Sequence, residues 1–174
     1  LVLPKLPVSY FYYPAQFWPH KNHLNLARAV RLLVDRGLDP HIVLSGGVAG
    51  SHQEFTDLVD RLGITNRFTE LGYVSSELVA TLYRQSIGLV YPSYFGPTNI
   101  PPLEALVHET PMAVSGNYAM REQLGNAALF FDPDSPGSIA ESMVELWHNE
   151  ATRGALVAAG RMIVERHRPS AFYA

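Results

Sequence analysis

The chain has no cysteine in its 174 residues, so neither a disulfide framework nor a cysteine-ligated metal centre can enter its chemistry. That fits a reducing compartment. Charge is scarce: charged residues make up 17% of the chain and the formal net charge is −3, which gives no electrostatic case for nucleic acid or an anionic membrane surface. No apolar run approaches the ~18 residues that cross a bilayer, and the opening LVLPKLPVSY lacks the charged-then-apolar layout of a signal peptide, so neither a transmembrane segment nor a leader is expected. Internal repeats and low-complexity linkers are missing too. What the chain has is an apolar share of 47%, enough for one domain with a sizeable core.

Short apolar runs alternate with helical patterns. Strands are predicted near Tyr10–Tyr13, His41–Ser45, Arg67–Glu70, Ile87–Tyr91, Pro111–Val114 and Ala128–Phe131. Between them, Leu26, Ala27, Val30, Leu33 and Val34 form one helical stripe closed by Gly37, and Phe55, Leu58, Val59 and Leu62 form a second closed by Gly63. Leu78, Val79 and Leu82 suggest a third helix, and Ile139, Met143, Leu146 and Trp147 another. This rhythm predicts an α/β fold, a Rossmann-like doubly wound parallel sheet of about six strands, which leaves no room for a second domain in residues 1–174.

The segment YPSYFGPTNIPPLEA, Tyr91 to Ala105, carries the most chemistry. A buried strand ends at Tyr91. Thr98 and Asn99 are helix-capping types, and Pro101-Pro102 fit only a first helical turn, so a helix over Leu103–Val107 is expected to begin there. A helix N-terminus at the carboxyl edge of a parallel sheet attracts anions through its free amides and dipole. With prolines at 97, 101 and 102, the donors left for a phosphate are the amides of Thr98, Asn99 and Ile100 and the side chains of Thr98 and Asn99. Glu104 would repel phosphate, yet a carboxylate one turn further in can accept from the hydroxyls of a ribose. A nucleotide fits both demands. A plain capped helix with an acidic early turn fits the same residues.

Other segments point to the same sheet edge. In YPAQFWPHKNH, Lys21 precedes a helical stripe and can reach a phosphate as a point charge, although a lone lysine there also reads as a solvated surface charge. LSGGVAG resembles a dinucleotide-binding turn, but Ser45 stands where its first glycine belongs. His20 and His23 lie three apart, with no cysteine or nearby carboxylate to complete a metal shell, so no metal site is assigned. Phe11, Tyr12, Phe17 and Trp18 read as core and domain-facing surface rather than a stacking platform, and Arg121 with Glu122 as a surface pair.

With these residues in view, the chain resembles the family 4 glycosyltransferases, a large retaining group whose GT-B fold sets two Rossmann-like domains face to face. Their signature is a proline-serine pair after a strand, a glutamate, a glycine-rich loop, a proline, and a second glutamate eight residues after the first. Here Pro92-Ser93, the loop Pro97-Thr98-Asn99-Ile100, Pro101 and Glu104 match, while the first glutamate's position holds Gly96 and the usual glycines have become Pro97 and Asn99. The family's arginine and lysine in the first loop, which neutralise the departing diphosphate, fall on Gln16 and Lys21. After Met112, the run AVSGNYAMREQLGNAALFFDPD follows the family's closing pattern, with Ser115, Gly116 and Asn117 facing the crevice by topology.

The resemblance implies half of a GT-B fold: a single nucleotide-sugar binding domain over 1–174, with the amino-terminal acceptor domain and the terminal crossing helix absent. It implies a donor site in which Lys21 is the catalytic cation. Gln16, Gly46, Gly47, Leu71, Gly72, Tyr73, Gly96, Thr98, Asn99, Ile100 and Glu104 would contact the donor, Gly46 and Gly47 by letting backbone approach it and Leu71, Gly72 and Tyr73 as the wall of a base pocket. The implied activity is metal-independent transfer of a hexose, mannose among them, from a nucleoside-diphosphate sugar to an acceptor held by the missing domain, with no cofactor. The enzyme would lie in the cytoplasm or at the cytoplasmic face of a membrane. Two alternatives stay open: a non-catalytic nucleotide-sugar binding module, suggested by Gly96 and Gln16, and half of a dinucleotide-dependent oxidoreductase, which Ser45 disfavours.

Overall fold

The computed structural model describes residues 6–96 and 99–167. Six parallel strands, β1 (Phe11–Pro14), β2 (Ile42–Ser45), β3 (Phe68–Glu70), β4 (Gly88–Tyr91), β5 (Met112–Ser115) and β6 (Leu129–Phe131), form one sheet in the order β3-β2-β1-β4-β5-β6. All six predicted strands are found, each displaced by at most one residue at either end. Among the described residues, seven α-helices connect or follow them: α1 (His23–Asp35), α2 (His52–Arg61), α3 (Ser76–Gln85), α4 (Ile100–Val107), α5 (Tyr118–Leu124), α6 (Pro136–His148) and α7 (Glu150–Arg166).

The four central strands are apolar on both faces, as a sheet covered on both sides requires. Right-handed crossovers send α1 and α2 to one face and α3, α4 and α5 to the other, because the chain builds leftward from β1 and then rightward from β4. α1 packs against α2 and α6, and α4 packs against α7. α4 begins at Ile100, earlier than the expected Leu103, since Pro101 and Pro102 fall in its first turn. α7 was not expected; few of its residues are buried, Leu156 and Gly160 among them, so its sequence shows no apolar stripe.

The reversal of strand order falls between β1 and β4, and the loops after β1, β2, β3 and β4 open there at the carboxyl edge. Backbone and side-chain hydrogen bonds tie these loops to one another. The Gly46 amide donates to the Gly72 carbonyl at 2.8 Å, and Ser51 donates to the Phe17 carbonyl from both its amide (2.8 Å) and its hydroxyl (2.7 Å). Tyr94 N–H donates to His20 O at 2.9 Å, and the buried Ser93 hydroxyl donates to Phe95 O at 2.8 Å. Asn22, buried and left-handed at φ 59°, donates through Nδ2 to the carbonyls of Pro92 (3.1 Å) and Pro133 (2.9 Å).

His23 opens α1 inside this junction. Its ring stacks on Phe17 with centroids 4.3 Å apart, lies 4.8 Å from the ring of Tyr13, and neither nitrogen makes a hydrogen bond of normal geometry. Desolvation lowers its pKa to about 3; the Ala15 carbonyl opposes that shift without meeting hydrogen-bond geometry, and Lys21 and His52 add to it. Above pH 6.5 the group is neutral in folded and unfolded chains alike. Below it, only the unfolded chain takes up the proton, so stability falls by up to ~1.4 kcal/mol per pH unit until the folded-state value is reached. Denaturant titration should therefore show His23 costing about 2 kcal/mol between pH 7 and pH 5. A His23→Phe variant that still folds should lose that much less over the interval; an unchanged pH slope would assign the acid sensitivity elsewhere.

Candidate functional site

At Gly46 the β2 loop packs directly on the backbone of the β1 loop. The residue's φ is +136°, and a Cβ there would lie 2.7 Å from the Ala15 carbonyl carbon and 2.9 Å from the Gln16 nitrogen. Glycine serves here for the contact between the β1 and β2 loops, a different reason from the approach of a ligand. Beside it opens a crevice of about 260 Å³ lined by Gln16, Ser45, Gly46, Tyr73, Val79 and Glu104, among others. Four of the sequence-predicted residues, Gln16, Gly46, Tyr73 and Glu104, thus meet in one place.

Gln16 is engaged at both ends. Its Nε2 donates to the Tyr73 hydroxyl at 2.8 Å, and its Oε1 accepts from Trp18 Nε1 at 2.8 Å. Tyr73 is 77% exposed and its ring reaches over Gly47, where a Cβ would come within 2.5 Å of its hydroxyl. Gly47 leaves room for the tyrosine in this position, and an exposed ring can move aside for a Cβ. Glu104, half-buried in α4, accepts a hydrogen bond from the Tyr83 hydroxyl through Oε2 at 2.9 Å. Ser45, absent from the predicted site, lines the crevice with its hydroxyl 2.6 Å from that of the buried Tyr12. Leu71 and Gly72 act through backbone, the Leu71 amide donating to Leu44 O at 2.9 Å and the Gly72 carbonyl accepting from Gly46.

A second group lies toward β4. Lys21 is held at its backbone by Tyr13, whose hydroxyl donates to the Lys21 carbonyl at 2.6 Å, while its Nζ donates to the Tyr91 hydroxyl at 3.1 Å. The same Tyr91 hydroxyl lies 3.6 Å from the point where a Gly96 side chain would begin. Lys21 and Gly96 are thus neighbours across Tyr91. Asn99 precedes α4 in the left-handed conformation at φ 45° and makes no side-chain capping bond, contrary to expectation. The carboxamide turns instead toward Gly96, where a Cβ would sit 2.7 Å from Oδ1, and Oδ1 is buried with no hydrogen-bond partner among the described residues. Ile100 follows as the first, exposed residue of α4. Thr98, with Pro97, lies outside the described residues.

Neighbouring groups take other roles. His20 stacks on Phe95 at 4.7 Å, and its pKa is lowered by desolvation and then by Lys21, so it stays neutral at physiological pH. His20 and His23 stack on different aromatics and share no site. Phe11, Tyr12 and Phe17 are core, while Trp18 is 47% exposed. Arg121 donates to the Gly116 carbonyl at 3.0 Å and covers the Phe130 ring instead of pairing with Glu122. Ser115 is buried, with its hydroxyl 3.4 Å from Tyr91 O, and Asn117 caps α5. Val48, Tyr73, Phe95 and Ile100, each more than half exposed, stand with Trp18 along the carboxyl edge as an apolar rim.

This arrangement offers a phosphate-sized anion an ammonium and a helix N-terminus, with a carboxylate and apolar walls further along the edge. Among the described residues no cluster of three or more His, Asp or Glu stands in metal-binding geometry, and no helix is long and apolar enough to cross a membrane.

Comparison with known proteins places the arrangement in a family. Residues 5–162 match the family model described as glycosyl transferases group 1. The O-antigen chain mannosyltransferase RfbU of Salmonella typhimurium is 30% identical over 130 residues, which are 75% of this chain and 36% of that protein. The chain therefore spans little more than a third of that relative's length. Among solved structures, the C-terminal domain of the group 1 glycosyltransferase LpcC from Francisella tularensis superimposes with a TM-score of 0.77 at 17% identity, covering 91% of this chain and 85% of that one. Anabaena HepE, in complex with UDP and glucose, gives 0.79 at 15% identity over 91% of this chain and 44% of that one. At such identities the structural likeness speaks for the fold, an α/β Rossmann-like sheet shared with GT-B enzymes, and the family match speaks for descent: the chain belongs to the group 1 glycosyltransferases.

Proposed function

We propose that residues 1–174 are the donor-binding domain of a retaining glycosyltransferase that moves a hexose, of the mannosyl type, from a nucleoside-diphosphate sugar to an acceptor. The reading rests on one juxtaposition: Lys21 and the start of α4 at the strand-order reversal, with Glu104 one turn further in. When the bond between the anomeric carbon and the diphosphate oxygen breaks, its electron pair leaves on the diphosphate. A fixed ammonium and helix amides stabilise charge that develops there without reorganising. Gln16 supplies no positive charge and is bonded to Tyr73 and Trp18, so Lys21 carries more of this role. Glu104 would accept from the ribose hydroxyls, and Gly46, Gly47, Leu71, Gly72 and Tyr73 would bound the base.

The donor-sugar side lacks a carboxylate at Gly96, leaving the loop of Thr98, Asn99 and Ile100 and groups from a second domain to hold the sugar. That acceptor domain and a crossing helix would lie outside these residues; the relative's greater length and the exposed apolar rim support such a partner. We place the reaction in the cytoplasm or at the cytoplasmic face of a membrane. The second reading, a non-catalytic nucleotide-sugar module, draws on Gly96 and Gln16.

Two measurements test this. In calorimetric titrations with a chelator present, one of UDP, GDP and ADP should bind without added metal. Loss of a charge-assisted hydrogen bond is worth roughly 1.5–3 kcal/mol, so Lys21→Ala should weaken that diphosphate about ten- to hundredfold and its nucleoside hardly at all, while Glu104→Gln should weaken both. Binding that appears only with magnesium or manganese would overturn the metal-free site. A transfer assay should find the full-length enzyme active and these residues alone inactive, because the reaction needs closure against a second domain. Turnover by the domain alone would refute the division of labour, and an inactive full-length protein that still binds donor would favour the silent module.

A further inference from the structure

Tyr83 belongs to the buried stripe of α3, a position that sequence periodicity assigns to packing alone. Its hydroxyl, however, reaches the first turns of α4, donating to Glu104 Oε2 at 2.9 Å with the Pro101 carbonyl at 3.1 Å as a second acceptor. The ring cannot swing away. Tyr12 meets it edge-on at 4.9 Å and 85°, and His108 stacks on its other side at 5.5 Å and 24°. A phenol fixed in this way presents its proton at one point in space, whereas a glutamate on a helix has three side-chain torsions to order. Burial first, and the Glu104 charge second, raise the phenol's pKa well above its ordinary value, so it remains a donor across the working range of pH.

We propose that Tyr83 is a positioning residue for ribose recognition: its hydroxyl pins one oxygen of Glu104 so that the rest of the carboxylate is presented to the crevice that Glu104 lines. A carboxylate has about four acceptor sites and Tyr83 uses one, which leaves room for both ribose hydroxyls. Ordering Glu104 before the ligand arrives removes that cost from the binding step. The inference rests on the donor-site reading above and adds to it the residue that decides how strongly a ribose is preferred over a sugar without hydroxyls.

The test compares a nucleoside diphosphate, whichever of UDP, GDP and ADP binds the chain, with its 2′,3′-dideoxy analogue. Wild type should prefer the ribonucleotide. Tyr83→Phe, which deletes only the hydroxyl, should cut that preference about three- to tenfold while leaving the affinity for the dideoxy analogue unchanged. In a Glu104→Ala background the same substitution should leave the preference where Glu104→Ala set it. Tyr10→Phe, which removes another buried hydroxyl bonded to a carbonyl at 3.1 Å (Leu82), should leave the preference intact. An unchanged preference in Tyr83→Phe, or an equal loss for both ligands, would overturn the inference alone. A wild-type chain that binds the diphosphate with no preference for ribose would overturn the Glu104 assignment and the inference with it.

Discussion

Asn22 carries the constraint on which the crevice depends. Where strand order reverses between β1 and β4, successive loops leave the sheet in opposite directions, and some of their carbonyls have no strand to pair with. One buried carboxamide donates to two of them, at Pro92 and Pro133, and so joins three loops. A buried carbonyl without a donor costs about 1–3 kcal/mol; Asn22 supplies the donor to Pro92 and shares Pro133 with Asn25, whose Nδ2 donates to the same carbonyl at 3.0 Å. The left-handed backbone that aims this side chain inward is tolerated by asparagine better than by other residues with a Cβ, and it also starts α1 with His23 turned into the core.

From that junction the rest of the edge follows. Because the β1 loop is fixed, Gly46 can pack against its backbone, and the β2 loop then holds the Gly72 carbonyl of the β3 loop. Lys21, one residue before Asn22, is set at the mouth of the reversal by the Tyr13 and Tyr91 hydroxyls. The core beneath is rich in tyrosine for a reason: Tyr12, Tyr13, Tyr83 and Tyr91 place apolar rings in the sheet layers and hydroxyls where the edge needs donors or acceptors. Packing and polar chemistry are supplied by the same side chains.

Much of this was legible from residue order. Strands and most helices follow from apolar runs and period, and the family signature located Lys21 and Glu104. Other features were not legible. α7 buries too little to mark its sequence, so periodicity passed over it. Asn99 looked like a capping residue by type, but the left-handed turn preceding α4 points its side chain toward Gly96, which only backbone geometry reveals. Gln16 stands at the family's arginine position, but its partners are Tyr73 and Trp18, and Tyr73 lies 57 residues away in sequence. Tyr83 is invisible to periodicity, and Ser45 shows only as a departure from a glycine-rich turn, because buried positions read as packing and a hydroxyl's partner depends on which helix or strand crosses it.

We propose that this edge of the sheet receives a nucleoside diphosphate. The most direct measurement is amide chemical-shift mapping of the domain titrated with UDP, GDP, ADP and NAD in the presence of a chelator. One diphosphate should shift the amides of residues 15–18, 20–22, 46–47, 71–73, 99–100 and 103–104 together, while NAD shifts them weakly or not at all. Shifts confined to the opposite edge, around Ser9, Ile87 and Trp147, or a response to NAD alone, would contradict the proposal.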